Sequence, residues 1–138
     1  MEKSTQELLH RIRETHDIQS FLDENENELL LETVHGCLTG FLAEKDMKAA
    51  DVAHNSGQGD YVYKVFQGKR KASRDILLAI AIGMGLSLAE TQFLLRIAQS
   101  ARLDPRNRRD SVIIYALNNT LSIEQANDIL SDVDELTF

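Results

Sequence analysis

Apolar residues recur three and four positions apart in eight segments of this chain, a spacing that gives a helix one apolar face. The pattern predicts helices over most of residues 5–15, 27–44, 48–56, 60–67, 74–83, 88–100, 105–118 and 123–133. Serines stand where four of these helices should begin, and a serine hydroxyl caps a helix N-terminus well: Ser4, Ser73, Ser87 and Ser122. With a single proline and no tryptophan among 138 residues, the chain is expected to be all-α.

The segment 60–67 has the character of a helix that reads DNA. Val62, Val65 and Phe66 fall on one side, while Asp60, Lys64 and Gln67 point the other way. Gly68 ends the helix, and the cations of residues 69–71 follow at once. An apolar back, polar side chains for base edges and cations for phosphates suit a major-groove reader. A short surface helix with a solvated basic end has the same pattern.

Residues 48–57 predict a second short helix that ends at a glycine, so the two helices and their turn describe a helix-turn-helix. Over roughly residues 28–97 the chain resembles the Xre/Cro-C1 family of DNA-binding domains. The resemblance rests on Gly68-Lys69-Arg70-Lys71-Ala72-Ser73 and on Met84-Gly85-Leu86-Ser87-Leu88-Ala89-Glu90. More loosely, the whole chain is similar to small Firmicute-type members with a C-terminal helical extension, through Tyr61-Val-Tyr63 and Arg108 to Ile114.

The resemblance implies a lambda-repressor-like five-helix domain over residues 27–101, between an N-terminal helical arm (1–26) and a C-terminal helical hairpin (102–138). In the arm, Leu8, Leu9 and Ile12 are expected to face inward. Asp104 as N-cap with Pro105 at the first helical position should begin the hairpin. Its apolar face either packs back on the domain or forms a homodimer. The arginines of residues 102–109 contact either phosphates or the acidic tail.

The net charge of −7 is unevenly distributed. Residues 47–109 hold eleven Lys or Arg against five Asp or Glu, which gives +6, whereas residues 1–46 carry −7 and residues 110–138 carry −6. A basic centre between acidic ends favours nucleic-acid binding locally. A solvated surface of uneven charge is the plainer explanation.

Other classes of function find little support in the sequence. No apolar run reaches the ~20 residues of a membrane span, and no signal-peptide pattern opens the chain. Cys37 is the single cysteine, so a reducing, cytoplasmic environment is expected. The four histidines lack metal-ligand spacing, and neither a catalytic motif nor a cofactor loop is present. We therefore expect no enzyme, cofactor, metal or small-molecule site.

The function that these patterns predict best is sequence-specific binding of double-stranded operator DNA by a homodimeric transcriptional regulator. Gln58, Tyr61 and Lys64 are the candidates for base contacts. The candidates for phosphate contacts are Lys69, Arg70, Lys71 and Arg74.

The alternative is a degenerate helix-turn-helix that serves as a protein-interaction module without DNA binding. Asp60 favours it, because a carboxylate repels phosphate unless it caps the helix or accepts a hydrogen bond from a cytosine amine. Phe66 also stands where the family usually has a glutamate, and Ala72 where it has the loop proline.

Overall fold

A computed structural model describes residues 3–25, 33–69 and 71–138. Within these ranges the chain forms nine α-helices and no strand, which confirms the all-α prediction. The helices, in chain order, are α1 (Thr5–Glu14), α2 (Ile18–Glu24), α3 (Val34–Lys45), α4 (Ala49–Ser56), α5 (Asp60–Phe66), α6 (Arg74–Met84), α7 (Leu88–Ile97), α8 (Arg108–Asn118) and α9 (Ile123–Asp132).

All four predicted serine caps are confirmed. Each hydroxyl accepts a hydrogen bond from the backbone N–H three residues later, as expected for an N-cap. Ser87 and Ser122 also form reciprocal capping boxes with Glu90 and Gln125. At Ser4 only the serine half of such a box is present, and the carboxylate of Glu7 accepts from Arg11 at 3.1 Å instead.

The chain divides into two compact units, Met1–Leu31 and Glu32–Phe138. In the first, α1 and α2 pack on each other, and Phe21 and Asn25 are buried. The expectation that Leu8, Leu9 and Ile12 all face inward is wrong. Leu8 is half-buried, whereas the side chains of Leu9 and Ile12 are exposed and α1 buries no residue fully. Two short helices offer too little surface to cover a second apolar stripe.

The second unit is built around α6, which contacts α4, α7, α8 and α9. Every residue from Leu77 to Met84 is buried. Residues 77–84 are apolar on all sides of the helix, and a helix of that composition is expected to be buried on all sides. From α8 and α9 the core receives Ile113, Ala116, Leu117, Ile123 and Ala126. The apolar face of the hairpin is therefore packed back on the unit.

A salt bridge of 3.3 Å between Lys45 and Glu90 joins the C-terminal end of α3 to the first turn of α7. Burial acts to raise the pKa of Glu90, but hydrogen bonds from Ser87 and Lys45 and the charge of Lys45 outweigh it. The pKa of Glu90 therefore lies below its ordinary value of 4.5.

One helix was missed, and three helix boundaries differ from the prediction by more than one residue. Helix α2 was missed, although Asp17 caps it by accepting from the Gln19 N–H at 3.1 Å. Of the expected helix 27–44, residues 27–32 lie outside the described residues, and α3 begins after its N-cap Thr33. Helix α7 ends at Ile97 because Gln99 turns left-handed, with φ of 57°.

The predicted start of α8 at Pro105 is wrong. Asp104 accepts from the Arg106 N–H through its side chain at 2.9 Å, and its carbonyl accepts from the Asn107 N–H at 2.9 Å. These bonds close a turn with proline at its second position, where a fixed φ is equally suitable. Asn107 is the actual N-cap and accepts from the Asp110 N–H.

Candidate nucleic-acid interface

Helix α4 is seated on α6 by an unusually close backbone approach. Val52, Ala53 and Ser56 of α4 are buried. A Cβ added to Gly83 of α6 would stand 2.8 Å from the backbone nitrogen of Ser56, so only glycine fits there. The Asn55 side-chain amide donates to the Gly83 carbonyl at 3.3 Å across the same contact. The position of α4 is thus set by the absence of a side chain on α6.

A three-residue turn joins α4 to α5. Gly57 ends α4 with φ of 72°, and Gly59 precedes α5 with φ of 57° and ψ of −135°. Positive φ is strained for residues with a Cβ, which explains why both positions are glycine. The Gly59 N–H donates to the Ala53 carbonyl, and the Gln58 N–H donates to the buried Ser56 hydroxyl, each at 3.3 Å. The turn is therefore held by α4 itself.

Helix α5 has a buried back and an exposed front. Val62, Val65 and Phe66 are buried, as the spacing predicted. Its exposed face, by which we mean Asp60, Tyr63, Lys64 and the C-cap residue Gln67, points away from the core. At the C-terminus, Nδ1 of His35 from α3 lies in hydrogen-bond contact with the Phe66 carbonyl. Helices on two sides thus fix α5 and leave one polar face open.

The basic loop, residues 67–73, continues directly from α5. Gly68 adopts φ of 72° and donates to the Val65 carbonyl, and the Lys69 N–H donates to the Lys64 carbonyl at 3.0 Å. Lys64, Lys69 and Lys71 are exposed, and none of them forms an ion pair with another described residue. Three uncompensated ammonium groups thus stand on or beside the exposed face of α5.

The residues predicted to contact bases are placed differently from one another. Lys64 lies on the exposed face of α5. Tyr61 is half-buried on its flank, and its hydroxyl donates to the Lys71 carbonyl at 3.4 Å. Gln58 is half-buried in the turn before the helix. Tyr63 and Gln67 are exposed as well, although neither was among the base-contact candidates. Helical spacing had placed Gln67 on the polar side of α5, and it could have placed Tyr63 beside it.

Among the residues predicted to contact phosphates, Lys69 and Lys71 are exposed in the basic loop, and Arg70 lies outside the described residues. The guanidinium of Arg74 is taken up by an internal network. It pairs with both oxygens of buried Asp110, at 3.1 and 2.9 Å, and donates to the carbonyls of Ala101 and Arg102. These bonds make Arg74 a structural residue, and we leave it out of the interface.

Two of the remaining arginines bind the C-terminal segment, one of the two alternatives that the sequence left open. Arg108 donates to the Val133 carbonyl at 2.9 Å and lies 3.7 Å from Glu135. Arg109 pairs with Asp75 at 2.7 Å and donates to the Leu136 carbonyl. Both guanidinium groups therefore hold the chain end against α8.

Comparisons with protein-family models, curated proteins and solved structures find no match for this chain. Within the described ranges, no group of His, Cys, Asp or Glu side chains is gathered in a way that could hold a metal ion. No helix there is long and apolar enough to cross a bilayer.

Proposed function

We propose that this protein is a cytoplasmic transcriptional regulator that binds a specific double-stranded DNA operator through α4, the turn 57–59 and α5. The observation that carries the proposal is the exposed face of α5. A rigidly seated helix presents Tyr63, Lys64 and Gln67 outward, and unpaired Lys69 and Lys71 follow at its end. Tyrosine, lysine and glutamine are suited to base edges, and lysines in a loop suit phosphates.

The local charge supports the same proposal. The three lysines form no ion pair with a described residue, and neither do Lys48, Arg96 and Arg102, whereas the other described cations of the second unit pair with carboxylates: Lys45, Arg74, Arg106, Arg108 and Arg109. Ammonium groups that neutralise phosphates release the counterions condensed on the DNA, which favours binding. The overall acidity of the chain acts through solvent and is screened over about 8 Å at physiological salt.

The arrangement of α3 to α7 further favours a lambda-repressor-like domain as the specific fold. Two short helices are joined by a glycine turn; the first packs on the buried α6, and the second packs on α3 and α4 and leaves one face open. That is the arrangement in which a recognition helix enters the major groove while the preceding helix crosses the backbone.

The proposal is tested by selecting sites from random duplex DNA and then titrating the selected site and a random duplex at several salt concentrations. Lys64→Ala should weaken the selected site by roughly 1–3 kcal/mol and random duplex little, since a base contact is lost. Lys69→Ala should weaken both about equally and reduce the salt slope by about one unit. Each variant removes one cation, so each is the charge-matched control for the other.

If selection enriches no sequence and random duplex is not retained at low salt, DNA binding is excluded. The protein-interaction module then becomes the better explanation, because the exposed Asp60 on the same face disfavours an anionic partner.

We also propose that the protein binds its operator as a homodimer, because helix-turn-helix domains read half-sites about 34 Å apart. The inward face of the hairpin is used in the core, so a contact built on the hairpin must use its outer side. There Tyr115 of α8 is 55% exposed. Sedimentation at tens of micromolar should show a dimer that Tyr115→Ser weakens. A monomeric wild-type protein under these conditions would contradict the proposal.

A further inference from the structure

Asp60 is an acidic residue whose carboxylate has no bonding partner in the described part of the chain. It is exposed and is the first residue of α5. The N-cap of that helix is Gly59, and no side chain caps it. The Asp60 carboxylate forms neither a hydrogen bond nor an ion pair with any described residue, even though Lys64 lies one helical turn away. The capping role that the sequence left open is therefore not the one observed.

The surroundings of Asp60 leave room for a ligand to reach its carboxylate. Together with Tyr63 and His54 it lines an open depression of roughly 440 Å³ between α4 and α5. The depression is wide because Ala50, Gly57 and Gly59 carry little or no side chain there. A Cβ at Gly59 would meet nothing within 4 Å. A flat base edge can thus approach the carboxylate without displacing protein atoms.

The chemistry of a carboxylate limits what it can read. Ionised aspartate only accepts hydrogen bonds, and the major groove offers exocyclic amine donors on cytosine and adenine alone. The adenine amine stands between two acceptors, N7 of its own ring and O4 of the paired thymine, which repel the second carboxylate oxygen. The cytosine amine has an acceptor, O6 of the paired guanine, on one side only. Cytosine is therefore the base that suits Asp60.

We propose that Asp60 is a specificity-determining residue, which accepts a hydrogen bond from the N4 amine of one cytosine in the operator. The proposal rests on the proposed function and deepens it by naming a base. The helix dipole also favours a carboxylate in a first turn, but it affects stability and predicts no base preference. When the protein is bound to DNA, the phosphates repel the Asp60 carboxylate whatever the base sequence. The hydrogen bond from the cytosine amine offsets this repulsion only where a C·G pair faces Asp60.

The test repeats the site selection with wild-type protein, Asp60→Asn and Asp51→Asn. Asp51 is the matched control, because it is exposed, carries the same charge and lies on α4, where its carboxylate accepts from the Lys48 N–H at 3.0 Å. Both variants should bind random duplex more tightly, since each removes one negative charge. Urea unfolding of all three proteins shows whether the variants remain folded.

The expected result is that wild-type protein and Asp51→Asn select a site with the same fixed C·G pair. Asp60→Asn should lose that position alone and accept adenine there, because an amide both donates and accepts. Replacing the C·G pair by T·A should cost the wild-type protein about tenfold in affinity and Asp60→Asn little.

The failures of the two proposals are distinguishable. If the wild-type protein selects a site and Asp60→Asn selects the same one, Asp60 reads no base while DNA binding stands. The same conclusion follows if the site selected by the wild-type protein contains no fixed C·G pair. If the wild-type protein selects nothing, DNA binding is refuted and the role of Asp60 with it.

Discussion

The contact between Gly83 and Ser56 predicts that adding one methyl group to α6 destabilises the protein. In Gly83→Ala the new Cβ would stand 2.8 Å from the Ser56 nitrogen and 3.1 Å from its Cα and Cβ. Ser56 is fully buried, and the nearest of these atoms is backbone, which cannot rotate away. Either α4 shifts outward or α6 distorts.

The magnitude follows from two opposed effects. Overpacking a close contact costs about 1–3 kcal/mol. Replacing glycine by alanine inside a helix returns roughly 0.5–1 kcal/mol, because the unfolded chain has less freedom to lose. We expect a net loss of about 1–2 kcal/mol in the free energy of unfolding, including some weakening of the Asn55 to Gly83 bond.

Urea unfolding followed by circular dichroism measures this loss as a lower midpoint with an unchanged slope. Gly40→Ala is the matched control: Gly40 lies within α3, and a Cβ there would meet nothing within 4 Å. The control should gain roughly 0.5–1 kcal/mol from helix propensity alone. If Gly83→Ala is stabilised as much as Gly40→Ala, the close seating of α4 on α6 is refuted.

Three further substitutions test the charged pairs of the second unit. Asp110→Asn should lose about 3 kcal/mol of stability, since the Asp110 side chain is only 8% exposed and accepts from Arg74 through both carboxylate oxygens; Asp75→Asn should lose less than about 1 kcal/mol, since the Asp75 side chain is 52% exposed and Arg109 keeps its bond to the Leu136 carbonyl. Because the pKa of folded Glu90 is lowered, its stabilising effect is present above the unfolded pKa and is lost as the pH falls through the folded pKa. Urea midpoints measured from pH 7 downward should therefore fall less in Glu90→Gln, which lacks this carboxylate, and equal falls would contradict the role of the Lys45 pair.

Local patterns in the sequence were sufficient to predict most helices. Ser4, Ser73, Ser87 and Ser122 cap helices as expected because a cap is a matter of neighbouring residues. Asp17 is a side-chain N-cap of the same kind before α2. The helix was nevertheless missed, because it is only seven residues long and too few apolar residues follow Asp17 to show a helical period. The end of α7 had no signal of this kind, since Gln99 adopts a left-handed conformation that usually marks glycine.

What the sequence could not show was pairing between distant residues. Arg74 resembled a cation available to phosphate because it follows the basic loop, but its partner Asp110 is 36 residues away. The same limit applies to Gly83, whose small size matters only because Ser56 crosses it. Lys64 could be placed on the exposed face of α5 from helical spacing alone, because the buried side of that helix was evident from its own residues.

These long-range contacts hold the basic loop at both ends. Before it, His35 contacts the Phe66 carbonyl at the end of α5. After it, Arg74 at the start of α6 is fixed by Asp110 from α8. The hairpin thus supports the loop that carries Lys69 and Lys71, the lysines we propose to contact phosphates, without lying in the loop itself. Under conditions where both variants remain folded, Asp110→Asn should therefore weaken binding to random duplex while Asp75→Asn does not. Equal affinities would show that the loop keeps its position without this support.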